Sequence, residues 1–98
     1  MATAKAVKLS DREVTRIARA LAEPRRLQIL KQIGGCEAGA LACRIILEKQ
    51  DISPATLSHH LKELETANLI ETSRDGKFVL VTVKRDVLRA YLAQLSEI

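Results

Sequence analysis

Ser53-Pro54-Ala55-Thr56-Leu57-Ser58-His59-His60-Leu61-Lys62-Glu63-Leu64 is the stretch whose reading decides the fold. Serine followed by proline starts a helix. The hydroxyl accepts from a free N–H of the first turn, and proline loses nothing there by lacking its own N–H. Leu57, Leu61 and Leu64 recur at i, i+4 and i+7, which makes one side of the helix apolar as far as about Ala67. Ala55, Ser58, His59 and Lys62 fall on another side at helical spacing. Small and polar groups near a helix start suit entry into a major groove. Serine and histidine can hydrogen-bond base edges, lysine can reach phosphate, and the free N–H groups of the first turn favour an anion. The competing reading is an ordinary solvated face. Glu63 and Glu65 favour it, because carboxylates turned toward DNA repel phosphate.

Downstream the period changes from helical to alternating. Leu69 to Ser73 and Phe78 to Val83 are rich in strand-forming residues, and Arg74-Asp75-Gly76-Lys77 lies between them. Asp-Gly is a strong hairpin signal because both residues tolerate positive φ. Arg74 and Lys77 at the tip can reach a minor groove or the phosphate backbone, although a charged hairpin end also serves solubility alone. From Lys84 to about Ser96 a helical period returns, with a broad stripe of Val87, Leu88, Tyr91, Leu92 and Leu95.

Upstream, three further helices are expected. Ser10-Asp11-Arg12-Glu13 fits a capping box, followed by Val14, Ile17, Ala18 and Leu21 on one face. Pro24 opens a second helix with Leu27, Ile29, Leu30 and Ile33, and Gly34-Gly35 ends it, glycine readily taking a left-handed cap. A third covers about 38–48, with Leu41, Ile45 and Leu47 inward. The fold class is therefore mainly α with a small β-hairpin (α+β), in the order ααααββα. That is the layout of a winged helix-turn-helix, occupying 10–98 behind a flexible segment 1–9. The stripe on the last helix is wider than so small a domain needs. With the first helix it is expected to form a homodimer surface of Val14, Ile17, Leu21, Leu88, Tyr91, Leu92 and Leu95. The alternative is that it folds back on its own core.

Composition agrees with this frame. Ninety-eight residues make one domain, 47% apolar, with no Trp and only Phe78 and Tyr91 as aromatics. The core must be aliphatic and thin, and dimerisation supplies the missing burial. The formal charge of +4 points mildly to a polyanion. Residues 1–50 carry ten Lys or Arg against five acids, and 51–98 carry six against seven, so the second half offers individual cations rather than a basic field. Two cysteines do not make a disulfide scaffold, the start has no apolar signal-peptide run, and no stretch is long and apolar enough for a membrane span. A cytoplasmic protein with no membrane partner is expected.

Nothing in the chain points to an enzyme: it has neither a glycine-rich phosphate loop nor a paired acid–base set. Cys36 and Cys43 are candidate thiol-sensor residues. On one helix their spacing is about 10 Å, too far for a disulfide. If Cys36 lies in a loop after Gly35 the chain can fold back and pair them, with Arg44 lowering a thiol pKa. Two inert, small apolar side chains is the other reading. His59 and His60 point about 100° apart on a helix and cannot readily share an ion. No metal or cofactor is expected.

Leu21-Ala22-Glu23-Pro24-Arg25-Arg26-Leu27-Gln28-Ile29-Leu30 resembles the second-helix signature of the ArsR/SmtB repressors. The stretch from Ser53 to Leu64 resembles their recognition helix, and Asn68-Leu69-Ile70 with Arg74-Asp75-Gly76-Lys77 resembles their strand and wing. The resemblance spans about 11–95. It implies a homodimer that binds an imperfect palindrome in double-stranded DNA, blocks transcription and is released by an inducer. It also implies that Pro54, Ala55, Ser58 and His59 face the major groove, that Arg74 and Lys77 form the wing, and that His60 turns toward the domain. Two family metal motifs are missing. Leu41-Ala42-Cys43-Arg44-Ile45 has one cysteine where the family has Cys-x-Cys, and the helix containing Asp86-Val87-Leu88 has no histidine. The inducer stays open, as an unidentified molecule or thiol modification. A second function class also stands: a protein-interaction module on the same fold without specific DNA binding.

Overall fold

The structure, a computed structural model, describes residues 8–98. Its helices begin where the sequence supplies caps. Helix α1 (Asp11–Leu21) opens with the full capping box: Ser10 Oγ accepts from Glu13 N–H at 3.2 Å, and Glu13 Oε1 accepts from Ser10 N–H at 2.8 Å. Helix α2 (Pro24–Gly34) has Pro24 in its first turn and the Glu23 carboxylate accepting from Arg25 N–H. Helix α4 (Pro54–Thr66) has Ser53 Oγ accepting from Thr56 N–H at 3.1 Å. Between them lies the short helix α3 (Cys43–Lys49), and the chain ends with α5 (Arg85–Ser96).

The strands are β1 (Leu41–Ala42), β2 (Ile70–Asp75) and β3 (Phe78–Val83), ordered β1-β3-β2 and antiparallel throughout. The hairpin register runs from Ile70↔Val83 to Asp75↔Phe78, which leaves Gly76-Lys77 as the two-residue loop. Gly76 takes φ +62°, and Lys77 is not left-handed. That is the glycine-first type of tight hairpin, one residue later than an Asp-Gly turn.

Three other details depart from expectation. Strand β1 joins the sheet through Leu41↔Val81 and Ala42↔Leu80, and this starts α3 at Cys43 rather than near 38. Gly35, at the end of α2, is right-handed with φ −82°, and the left-handed residue of that loop is Gly39 at φ +82°. Of the expected segment 1–9, residues 1–7 lie outside the described residues. Leu9 belongs to the fold: it is buried, and its N–H donates to Gln94 Oε1 of α5.

The core gathers Ile17 and Ala20 of α1, Ile29, Leu30 and Ile33 of α2, Ile46 of α3, and Leu57, Leu61 and Leu64 of α4. Leu69, Ile70, Val81, Val83 and Val87 close it from the sheet and α5. Helix α3 buries Ile46, while Leu41, Ile45 and Leu47 are only half-buried. Asn68 makes the turn from α4 into β2 at φ +63°, a conformation asparagine tolerates better than most residues. Its Oδ1 accepts from Lys84 Nζ at 2.7 Å, tying the end of α4 to the start of α5.

Leu64 is fully buried where α4 meets the rest of the core. Leu64→Ala is expected to lower unfolding free energy by about 2–5 kcal/mol, read from urea denaturation. A loss under about 1 kcal/mol would mean that α4 is not seated as described.

Candidate nucleic-acid interface

The leucine face of α4 fixes what the helix can offer outward. With Leu57, His60, Leu61 and Leu64 buried, Pro54, Ala55, Ser58, His59 and Lys62 are all exposed. The free N–H groups at the helix start lie on the same outer end. Ser53 is occupied there, capping Thr56 N–H and donating to Thr56 Oγ1 at 2.9 Å. The hairpin rises beside this helix. Arg74 and Lys77 are exposed at its tip, Arg74 in the last ladder pairs and Lys77 in the loop. One molecule therefore carries both a polar-faced helix and a cationic tip, joined through the contact of α4 with β2.

Glu65 has a local task. Its Oε2 accepts from Thr72 Oγ1 of β2 at 3.1 Å, so this carboxylate braces helix against wing. Between the two elements lies a hollow of about 390 Å³ lined by Cys43, Ser58, Leu61, Lys62, Glu65, Thr72 and Val79. Arg44, at the start of α3, sits with its guanidinium carbon 5.2 Å from the centre of the exposed Phe78 ring. This cation–π contact supports the first residue of β3 from outside the sheet. It also gives Arg44 a place beside the wing that sequence reasoning missed, since only the hairpin register brings Phe78 near it.

His60 does turn inward. It is the one buried polar side chain among the described residues. Its Nδ1 accepts from Arg26 Nε of α2 at 3.2 Å. Burial and the Arg26 charge pull its pKa below the ordinary imidazole value, with Glu23 pulling weakly the other way. In the sequence Arg26 figured only as part of the second-helix signature, with no role of its own. The rings of His59 and His60 are 5.9 Å apart, centre to centre, and tilted. Among the described residues, no three His, Cys, Asp or Glu side chains come together as a metal-binding group.

The cysteines are free and open onto different spaces. Cys36 Sγ donates to Ala40 O and lines a hollow with Gln32, Ile45 and Lys49. Cys43 lines the hollow between α4 and the wing. Burial pushes the Cys43 thiol up, the opposite of the lowering suggested by its neighbour Arg44, whose guanidinium is engaged on Phe78.

The expected dimer residues divide into three groups. Ile17 is fully buried in the chain's own core. Val14, Leu21, Leu88 and Tyr91 are half-buried, while Leu92 and Leu95 are 54% and 42% exposed. Only Val87 of α5 is buried. The stripe therefore does not fold back wholly on the core, and an apolar surface remains along α1 and α5.

A polar-faced second helix of a helix-turn-helix with a basic hairpin beside it defines a winged helix-turn-helix DNA-binding domain. Residues 21–73 match the helix-turn-helix domain family. The Bacillus subtilis transcriptional repressor SdpR is 32% identical over 71 residues, covering 72% of this chain and 76% of that protein. The Rhizobium meliloti nodulation protein NolR is 36% identical over 81 residues, and the match spans 62% of its length. A homodimeric winged helix-turn-helix DNA-binding domain from Mycobacterium bovis, a "possible ArsR-family transcriptional regulator", superposes with a TM-score of 0.70. The two are 30% identical, with 93% of this chain and 89% of that one covered. The chain belongs to the ArsR family of transcriptional regulators. Among the described residues, no helix is long and apolar enough to cross a membrane.

With its thiol pKa raised, Cys43 is expected to stay protonated at neutral pH. In a Cys36→Ser background, iodoacetamide should label it slowly at pH 7 and progressively faster above pH 9. Rapid labelling at pH 7 would contradict a desolvated thiol.

Proposed function

We propose that this chain is a homodimeric repressor that acts in the cytoplasm and reads a palindromic operator through α4 and the hairpin wing. The observation that carries the reading is the division of α4. One face is locked into the core, and the other leaves Ala55, Ser58, His59 and Lys62 exposed on a helix that packs against β2 of the hairpin whose exposed tip carries Arg74 and Lys77. In this reading Ser58 and His59 contact base edges, Pro54 and Ala55 allow close approach, and Lys62 contacts phosphate. Arg74 and Lys77 hold the neighbouring backbone or minor groove.

Two half-sites need two copies. The apolar surface of Val14, Leu21, Leu88, Tyr91, Leu92 and Leu95 fits a second copy of the chain. In that pairing the two α4 helices must lie about 34 Å apart to enter successive major grooves. The homodimeric Mycobacterium bovis relative supports the pairing. Release would come from an inducer that disturbs this pairing or the α4–wing brace. A thiol switch gains no support from two cysteines that open onto different hollows, one of them with a raised pKa.

Enrichment of a random duplex pool should yield a palindrome bound with an affinity that falls steeply as salt rises. Ser58→Ala and His59→Ala should each cost about tenfold or more on that duplex and little on unrelated DNA. Lys77→Ala should weaken all sequences about equally and flatten the salt dependence. Failure to enrich any sequence, with weak binding insensitive to salt, would favour the protein-interaction module instead. Separately, Leu92→Glu should convert the dimer to a monomer in sedimentation experiments and abolish tight operator binding. An unchanged dimer would move the interface elsewhere.

A further inference from the structure

We infer that Arg26 and His60 are a positioning pair for the DNA-reading helix, and that the pair holds only while His60 is neutral, so acid loosens binding to DNA. The inference rests on the functional reading above.

His60 occupies one of four inward positions on α4, the other three being Leu57, Leu61 and Leu64. It thus places a polar ring in an otherwise aliphatic contact. Its Nδ1 accepts from Arg26 Nε at 3.2 Å, while Arg26 Nη1 reaches Ala20 O at 3.5 Å. One guanidinium therefore joins the end of α1, the first turn of α2 and the middle of α4. An accepting Nδ1 requires the neutral tautomer with its proton on Nε2. Protonated imidazole has no acceptor. It would set N–H against N–H and a cation against a guanidinium, with most of the ring out of water.

Charged groups on α2 and α4 surround the ring. Arg26 and Arg25 of α2 and His59 of α4 oppose protonation, and Glu23 at the start of α2 favours it. Helix α1 contributes a carbonyl rather than a titrating side chain, and β2, also packed on α4, contributes no charge that shifts the ring. The folded chain therefore binds this proton less readily than the unfolded chain. The stability involved is complete above about pH 6.5 and is lost as pH falls from there through the lower, folded-state value. The ring can relieve the conflict by turning out toward solvent. Because it is next to His59 and two residues from Ser58, that movement re-aims the residues proposed to read DNA.

The sign of the pH effect separates this device from ordinary electrostatics. An exposed histidine near phosphate gains charge in acid and tightens binding. His60 does the reverse. The test titrates the full chain onto its enriched duplex from pH 8 to pH 5.5 at constant ionic strength. It uses the wild type, His59→Gln to remove the surface imidazole and, in that His59→Gln background, His60→Asn to keep an acceptor near Nδ1 without a charge, and Arg26→Met. Affinity is compared within each variant. In the His59→Gln protein, binding should weaken by at least about threefold between pH 7 and pH 5.5. His60→Asn should abolish this acid loss. Arg26→Met should bind more weakly already at pH 8 and lose little more in acid, because the contact that acid breaks is gone. If His60→Asn does not fold, long-range proton–nitrogen NMR of the wild-type imidazoles decides. The expected result is an unprotonated Nδ1 at pH 7 and a titration midpoint below that of free imidazole side chains. Acid-tightened or pH-independent binding by His59→Gln would overturn the inference, as would a His60 that protonates at an ordinary pH. Absence of sequence-specific binding at pH 8 would instead overturn the functional reading.

Discussion

Everything outward on α4 depends on how the helix is rotated about its own axis, and that rotation is set by what it buries. Leu57, Leu61 and Leu64 leave water together, and His60 is held among them by Arg26. Each buried leucine contributes on the order of 1.5–3 kcal/mol relative to exposure. A rotation of one residue, about 100°, would expose this face and bury charge. Ser58, His59 and Lys62 are outward for this reason and not because of any interaction of their own. The interface is a by-product of the core, so what disturbs the buried face also re-aims the exposed one.

The wing is positioned by a second set of ties. The ladder from Ile70 to Asp75 fixes the hairpin, Glu65 accepts from Thr72 across the gap to α4, and Arg44 rests on Phe78 from α3. Helix α5 is connected to the same region from the other end. Lys84 donates to Asn68 at the end of α4, and Arg85 Nη2 donates to Gly34 O at the end of α2. The apolar surface proposed for a second copy and the DNA-reading helix are thus a few hydrogen bonds apart. A change of packing along α5 has a short physical route to α4.

Much of this was legible in the residues. Caps at Ser10 and Ser53, prolines 24 and 54 and the leucine spacing of α4 are local signals, and each appears where its chemistry requires. The family resemblance carried by Ser58-His59-His60-Leu61-Lys62 is matched by the fold and by the relatives. What escaped was either too short or too distant in sequence. Strand β1 has two residues, too few for any alternation, and exists only because β3 offers it an edge. The hairpin loop slipped by one residue because Asp-Gly and Gly-Lys are both plausible two-residue turns, and the ladder chooses between them. Ile17 fits an amphipathic stripe equally well facing its own core or a partner; packing sends it to the core. Arg26 and His60 are 34 positions apart, and no periodicity links them.

The central claim is that one face of α4 is committed to the core so that the other can meet DNA. The most direct measurement is a map of backbone amide shifts in isotope-labelled protein as the enriched duplex is added. The largest changes should fall at Ala55, Ser58, His59 and Lys62 and at the hairpin tip around Gly76, with Ile29 and Ile33 of α2 nearly still. Changes concentrated on α2 or α3, with α4 and the hairpin unmoved, would contradict it.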